Sequence, residues 1–104
     1  MTLHHPARDE LELEAVLHAL SDPQRLLIVR CLAEDPLPRR CGSFAVCVTK
    51  STLTHHFRVL REAGVISQQE EGTARLNVLR REDLDARFPG LLDAILAVAP
   101  AAAA

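Results

Sequence analysis

Between Thr49 and Gly64 the chain sets Lys50, Ser51, Thr54, His55, Arg58 and Arg61 among apolar residues Leu53, Phe57 and Leu60, which recur at helical spacing. Hydroxyl, imidazole, ammonium and guanidinium groups on one helix face are the side chains that hydrogen-bond base edges and phosphate oxygens. No carboxylate interrupts them before Glu62. The same face also fits a helix that is merely solvated, so its surroundings must decide. Periodicity sorts the polar residues further. His56 lies three residues after Leu53 and beside Phe57, which turns it inward as a histidine satisfied by hydrogen bonds. Ser51, Thr54 and His55 are then the candidates for base edges or nearby phosphates, with Lys50, Arg58 and Arg61 positioning the duplex.

The elements that must hold this helix are legible in outline. Thr49 suits its N-cap and Gly64 a left-handed C-cap. Upstream, Leu13, Val16, Leu17 and Leu20 predict a helix over 10–20. Asp22 and Pro23 then fit the N-cap and first position of a second, over 23–33. Pro36, Pro38 and Gly42 oppose continuous helix over 37–48 and leave room for a short one around Arg40 to Val46. Beyond Gly64 the period changes. Ile66 and Gln68, then Arg75 to Val78, fit two short strands around the loop Glu70-Glu71-Gly72-Thr73. Arg81–Arg87 predicts a helical segment and Pro89 starts another, with Leu91, Leu92, Ile95, Leu96 and Ala99 as its apolar face. Residues 1–9 are expected as a flexible tail, 10–99 as one domain and 100–104 as a frayed end.

The fold class is therefore mainly α with a small two-stranded β-hairpin, in the order α-α-α-α-β-β-α. A polar reading helix followed directly by a hairpin is a winged helix-turn-helix: the helix enters the major groove and the hairpin reaches the flanking backbone. Charge agrees with this placement. The chain of 104 residues has a net charge of −2. Residues 37–61 carry five basic side chains and no acidic one, while the flanking segments are acidic. The local potential sets where phosphate docks. Apolar residues make up 48% and aromatics 3%, so the core must be aliphatic. There is no apolar run of about 20 residues and no apolar segment near the N-terminus, which points to the cytoplasm and to no membrane partner. The chain lacks G-x-S-x-G, a phosphate-binding glycine loop and H-E-x-x-H, so an enzyme is not expected. The competing function is a winged-helix module that binds protein.

The runs LHALSDPQRLLIVRCLAED, STLTHHFRVLREAGVI and EGTARLNVL resemble the arsenical-resistance-repressor (ArsR-type) transcriptional regulators, over roughly residues 11–97. The resemblance implies a homodimeric repressor on double-stranded DNA, paired through its first and last helices and released by an inducer. It places Lys50, Ser51, Thr52, Thr54, His55 and Arg58 on the recognition helix and Arg75 on the wing. There Glu70 and Glu71 oppose phosphate and offer Arg75 a salt bridge instead. Leu13, Leu17, Leu92, Ile95 and Leu96 are candidates for the shared interface, or for the chain's own core.

No cofactor is required for the fold. Family metal sites transfer poorly. The last helix has Asp85 and Asp93 but no histidine for a His-carboxylate zinc site, and the family's C-x-C is represented only by Cys41 in LPRRCGSF. Cys41 and Cys47 nevertheless flank a segment beside Arg39 and Arg40, and nearby cations favour the reactive thiolate. Two thiolates there can bind a soft metal ion or As(III), or form a disulfide, next to the start of the recognition helix. The alternative is that both are small semi-buried apolar residues. Cys31, on the apolar face of the second helix, is expected in the core.

Overall fold

The structure is a computed structural model describing residues 4–34, 39–40, 50–72 and 74–98, with backbone alone at 39, 40, 50, 51, 71 and 74. The predicted Thr49 cap, the short helix around Arg40 to Val46, the two cysteines Cys41 and Cys47, and the C-terminal tail lie outside the described residues. A 3-10 turn, Arg8–Glu10, leads into α1 (Leu13–Ala19) and α2 (Pro23–Glu34). After β1 (Arg39–Arg40) come α3 (Lys50–Ala63), β2 (Ile66–Glu71), β3 (Ala74–Leu79), α4 (Arg81–Arg87) and α5 (Leu91–Val98). No helix among the described residues is long and apolar enough to cross a membrane.

The helix boundaries follow local chemistry. Asp22 Oδ1 accepts the backbone N–H groups of Gln24 at 2.8 Å and Arg25 at 3.3 Å, satisfying two orphan donors of α2. Partial burial works against ionising Asp22. The two backbone bonds, with the charges of His56 and Arg25, outweigh it and hold the carboxyl below its usual range. At the far end of α3, Gly64 takes φ +84°. Its N–H reaches Arg61 O at 3.0 Å and the N–H of Val65 reaches Leu60 O at 2.9 Å, the paired bonds of a Schellman motif.

The hairpin expected from the change of period is present, with β2 and β3 antiparallel from Ile66↔Leu79 to Glu71↔Ala74. Gly72, with φ +61°, takes the first loop position. The sheet has a third member: β1 pairs with β3 through Arg39↔Asn77 and Arg40↔Leu76, giving the order β1-β3-β2. That dipeptide carries no alternation and was not expected as a strand.

One aliphatic core joins the helices to the base of the hairpin. It contains Leu11, Val16, Ile28, Val29, Leu32, Phe57, Leu60, Val65, Ile66, Leu84, Leu92 and Leu96. Cys31 is buried in it, as its place on α2 implies. Fully burying a side chain such as Phe57 stabilises by about 1.5–3 kcal/mol, so α3 is held mainly by this stripe.

The N-terminal segment is pinned from His5 onward, where a tail was expected. The backbone N–H of Gln68 donates to His5 Nε2 at 2.9 Å, Arg80 Nη1 donates to Pro6 O at 2.7 Å, and Arg8 pairs with Asp83 at 2.7 Å. Hydrogen bonds from Arg8 and Arg80 hold the Asp83 carboxyl below the usual range against the opposing effect of burial. The outer edge of β2 and the start of α4 thus offer this segment partners that its own composition does not reveal.

Candidate nucleic-acid interface

The amphipathic division of α3 gives it two working faces. Leu53, Phe57 and Leu60 face the core, and Thr52, Thr54, His55 and Arg58 are exposed on the other side. The Lys50 and Ser51 side chains lie outside the described residues, though both begin the helix. Arg58 pairs with Glu62 one turn later at 3.4 Å, with both side chains more than half exposed. Exposed pairs of this kind contribute a few tenths of a kcal/mol, so the guanidinium is readily exchanged to another anion. Thr54, His55 and Arg58 therefore share one outward surface, running from the helix start toward the hairpin.

His56 goes inward, as its spacing predicts. It is 6% exposed, and its Nδ1 lies 3.1 Å from Arg25 Nη1. A guanidinium has no acceptor, so Nδ1 must accept, and the neutral ring carries its proton on Nε2. Nε2 lies 3.9 Å from Asp22 Oδ1. Burial holds His56 below the ordinary histidine value of 6.5. The Asp22 carboxylate opposes that shift, and the charges of Arg25 and His55 reinforce it.

Arg61 corrects the expectation of a duplex-positioning cation. Its side chain is buried, and Nη1 donates to Gln68 Oε1 at 2.8 Å. Gln68 Nε2 in turn donates to Asn77 Oδ1 at 2.8 Å. Among the described residues Arg61 makes no ion pair, and its Nε has no hydrogen-bond partner. The physical reason is helical phase: Arg61 is one turn after Phe57 and shares its inward face. It joins the reading helix to the hairpin as a strut, and the i+4 spacing from Phe57 was the available signal.

The strut fixes the hairpin's inner face. Gln68 opposes Asn77, and one alternation further toward the tip Glu70 opposes Arg75. Arg75 is half-buried, and Glu70 stands opposite it in the strand register. The wing thus presents mixed charge, in contrast with the cationic face of α3.

The candidate interface residues divide. Leu92 and Leu96 are 2% and 8% exposed within the single chain and belong to its own core, which corrects their assignment to a shared surface. Around them Leu91 and Ile95 meet Val16, Leu20 and Leu84. Leu13 and Leu17 are 44% and 45% exposed, and Val98, which sequence reasoning did not single out, is exposed as well.

Comparison with known proteins agrees with this architecture. The profile of the family described as "Bacterial regulatory protein, arsR family" matches residues 22–68, from the α2 cap to β2. The chain is 32% identical over 82 residues to the uncharacterized HTH-type transcriptional regulator YceK of Bacillus subtilis, covering 77% of this chain and 82% of that protein. It is 33% identical over 61 residues to the HTH-type transcriptional regulator NmtR of Mycobacterium tuberculosis, covering 59% of this chain and 51% of that protein. The crystal structure of an ArsR family transcriptional regulator shares the fold, with a TM-score of 0.65, 21% identity and 90% of each chain covered. With its reading helix, hairpin wing and matched core, the chain belongs to the ArsR family of DNA-binding, winged helix-turn-helix transcriptional regulators.

Proposed function

We propose that the protein is a homodimeric repressor that reads its operator with α3. The observation that carries this reading is the outward surface of Thr54, His55 and Arg58, free of carboxylates until Glu62 and continuous with the helix start at Lys50 and Ser51. In this reading Ser51, Thr54 and His55 meet base edges or adjacent phosphates, and Lys50 and Arg58 fix the register on the backbone. Arg75 touches the flanking backbone, beside the opposing Glu70. The exposed Leu13, Leu17 and Val98, with half-buried Ile95, support pairing through α1 and α5. A two-fold pair would put two reading helices on half-sites about one helical turn apart. Operator release by a soft metal ion, As(III) or an oxidant at Cys41 and Cys47 completes the proposal, supported by the thiol spacing and the adjacent arginines.

A binding titration against the chain's own upstream DNA, in rising salt and with reduced thiols, tests the reading. Affinity should fall steeply with salt, and Arg58→Ala should flatten the logarithmic slope by about one unit per protomer. Absence of binding at low salt would favour a protein-binding module instead. The inducer proposal has its own test: if release by arsenite, zinc, cadmium, copper(I) or peroxide survives in Cys41→Ser/Cys47→Ser, the thiols are not the sensor.

A further inference from the structure

Three helices meet at one side chain behind the reading face. Arg25 Nε donates to Ala19 O at 2.6 Å and its Nη2 to His18 O at 3.3 Å, both carbonyls of the last turn of α1. Its Nη1 donates to His56 Nδ1 on α3, and Arg25 itself stands in the first turn of α2. Arg25 is 7% exposed and His56 6%. A buried hydrogen bond from a charged donor is among the stronger ones, so this contact ties the setting of α3 to α1 and α2. His56 is next to His55 in sequence, with ring centroids 6.1 Å apart, so any tilt at His56 is carried to the reading face.

We propose that the Arg25–His56 bond is a proton-sensitive clasp that sets the position of the recognition helix, so that protonating His56 lowers affinity for DNA. His56 is a positioning residue in this scheme and does not touch the duplex. The inference rests on the reading of α3 as the DNA-contacting helix.

The chemistry of the switch follows from the groups around the ring. The charged and titratable groups acting on His56 are Asp22 and Arg25 from the α2 side and His55 on α3, while α1 supplies the His18 and Ala19 carbonyls through Arg25. In the neutral ring, Nδ1 accepts from the guanidinium. A proton added at Nδ1 turns that acceptor into a second donor, and two cations then face each other across the former bond. The imidazolium is repelled by Arg25 and drawn by its Nε2–H toward the Asp22 carboxylate, 3.9 Å away. The arginine bond is exchanged for a pair with the α2 cap, and α3 loses its tie through Arg25 to the α1 carbonyls, which shifts its setting. Burial and the Arg25 charge keep the ring neutral until the pH falls below the ordinary histidine value.

Protonating buried His56 weakens binding by releasing the clasp. The test is a DNA-affinity profile from pH 8 to pH 5 for the wild type, His55→Asn and His56→Asn. Asparagine at 56 retains an acceptor near the Nδ1 position but cannot be protonated. Once the pH is below the titration of His56, wild-type affinity should fall by up to about tenfold per pH unit per protomer. His55→Asn should keep the fall, and His56→Asn should lose it. A His56→Asn profile that matches the wild type overturns the clasp while leaving DNA reading intact.

A second measurement needs no variant. Nitrogen-15 shifts of the wild-type imidazoles at pH 7.5 should show an unprotonated Nδ1 and a protonated Nε2 at His56, and amide shifts across 50–60 should follow its titration. A protonated Nδ1, or α3 amides that ignore the titration, overturns the clasp even if His56→Asn does not fold. The same measurement decides the clasp if no DNA binds at any pH, a result that would instead remove the reading of α3.

Discussion

Replacing Gly64 by alanine probes the junction on which the placement of α3 depends. Gly64 adopts φ +84°, and a methyl group built there falls inside the van der Waals envelope of Leu11 Cδ2, with Pro6 Cγ 3.2 Å away. The left-handed conformation costs a non-glycine residue roughly 1–2 kcal/mol. Displacing Leu11, which is 1% exposed, adds an overpacking cost of about 1–3 kcal/mol. Alanine's smaller unfolded-state entropy returns about 0.4–1 kcal/mol, leaving a net loss of ~2–4 kcal/mol. For a domain of this size that lowers the melting temperature by roughly 10–25 °C. Urea denaturation at fixed protein concentration measures the loss, and the slope with denaturant should stay the same. The double variant Leu11→Ala/Gly64→Ala separates the two causes. Removing the Leu11 methyls relieves the collision, so the double variant should be more stable than the sum of the singles by about 1–3 kcal/mol. A loss below ~1 kcal/mol for Gly64→Ala, or strict additivity in the double variant, would refute the argument.

Arg61→Met should leave the salt dependence of DNA binding unchanged, in contrast with Arg58→Ala, because the Arg61 guanidinium is spent on Gln68; a flattened slope in the methionine variant would return Arg61 to the phosphate contacts. Leu13→Ser/Leu17→Ser should yield a folded monomer by sedimentation, whereas Leu92→Ser, at a side chain 2% exposed, should cost more than about 2 kcal/mol and unfold or severely destabilise the chain. Asp22→Ala should cost about 1 kcal/mol at pH 7 through loss of the α2 cap. Because the folded pKa of Asp22 is depressed, that contribution is full above the unfolded value of about 3.9 and is lost as pH falls through the folded value. Urea curves for the pair should therefore converge in acid, and a gap that persists would mean the carboxylate charge is not what caps the helix.

The features legible in the sequence were those written locally. Asp22-Pro23, the α3 stripe, the Gly64 cap and the change of period at the hairpin each depend on residues within a few positions of one another. The inward turn of His56 was legible for the same reason. At Arg61 residue type and helical phase disagree: an arginine late in a cationic segment suggests phosphate, yet its spacing from Phe57 assigns it to the buried side. The face of α5 announces burial without saying against what, and the chain's own Val16, Leu20 and Leu84 claim Leu92. β1 exists only by pairing with β3, thirty-odd residues later, and two arginines carry no periodicity that foretells it. The anchoring of His5 and Pro6 depends likewise on donors supplied by β2 and Arg80.

That anchored segment has a consequence for handling the protein. In the order β1-β3-β2, β2 is an outer strand, and an uncovered outer strand offers its unpaired N–H and C=O groups as a template for a neighbouring chain. His5 occupies the N–H of Gln68 midway along that edge, and Glu70 lies toward its tip. His5 and Pro6 thus act as a guard against sheet-to-sheet self-association. Trimming them to tidy an expression product, or fusing a tag that pulls them from the edge, would expose an outer strand able to seed aggregation.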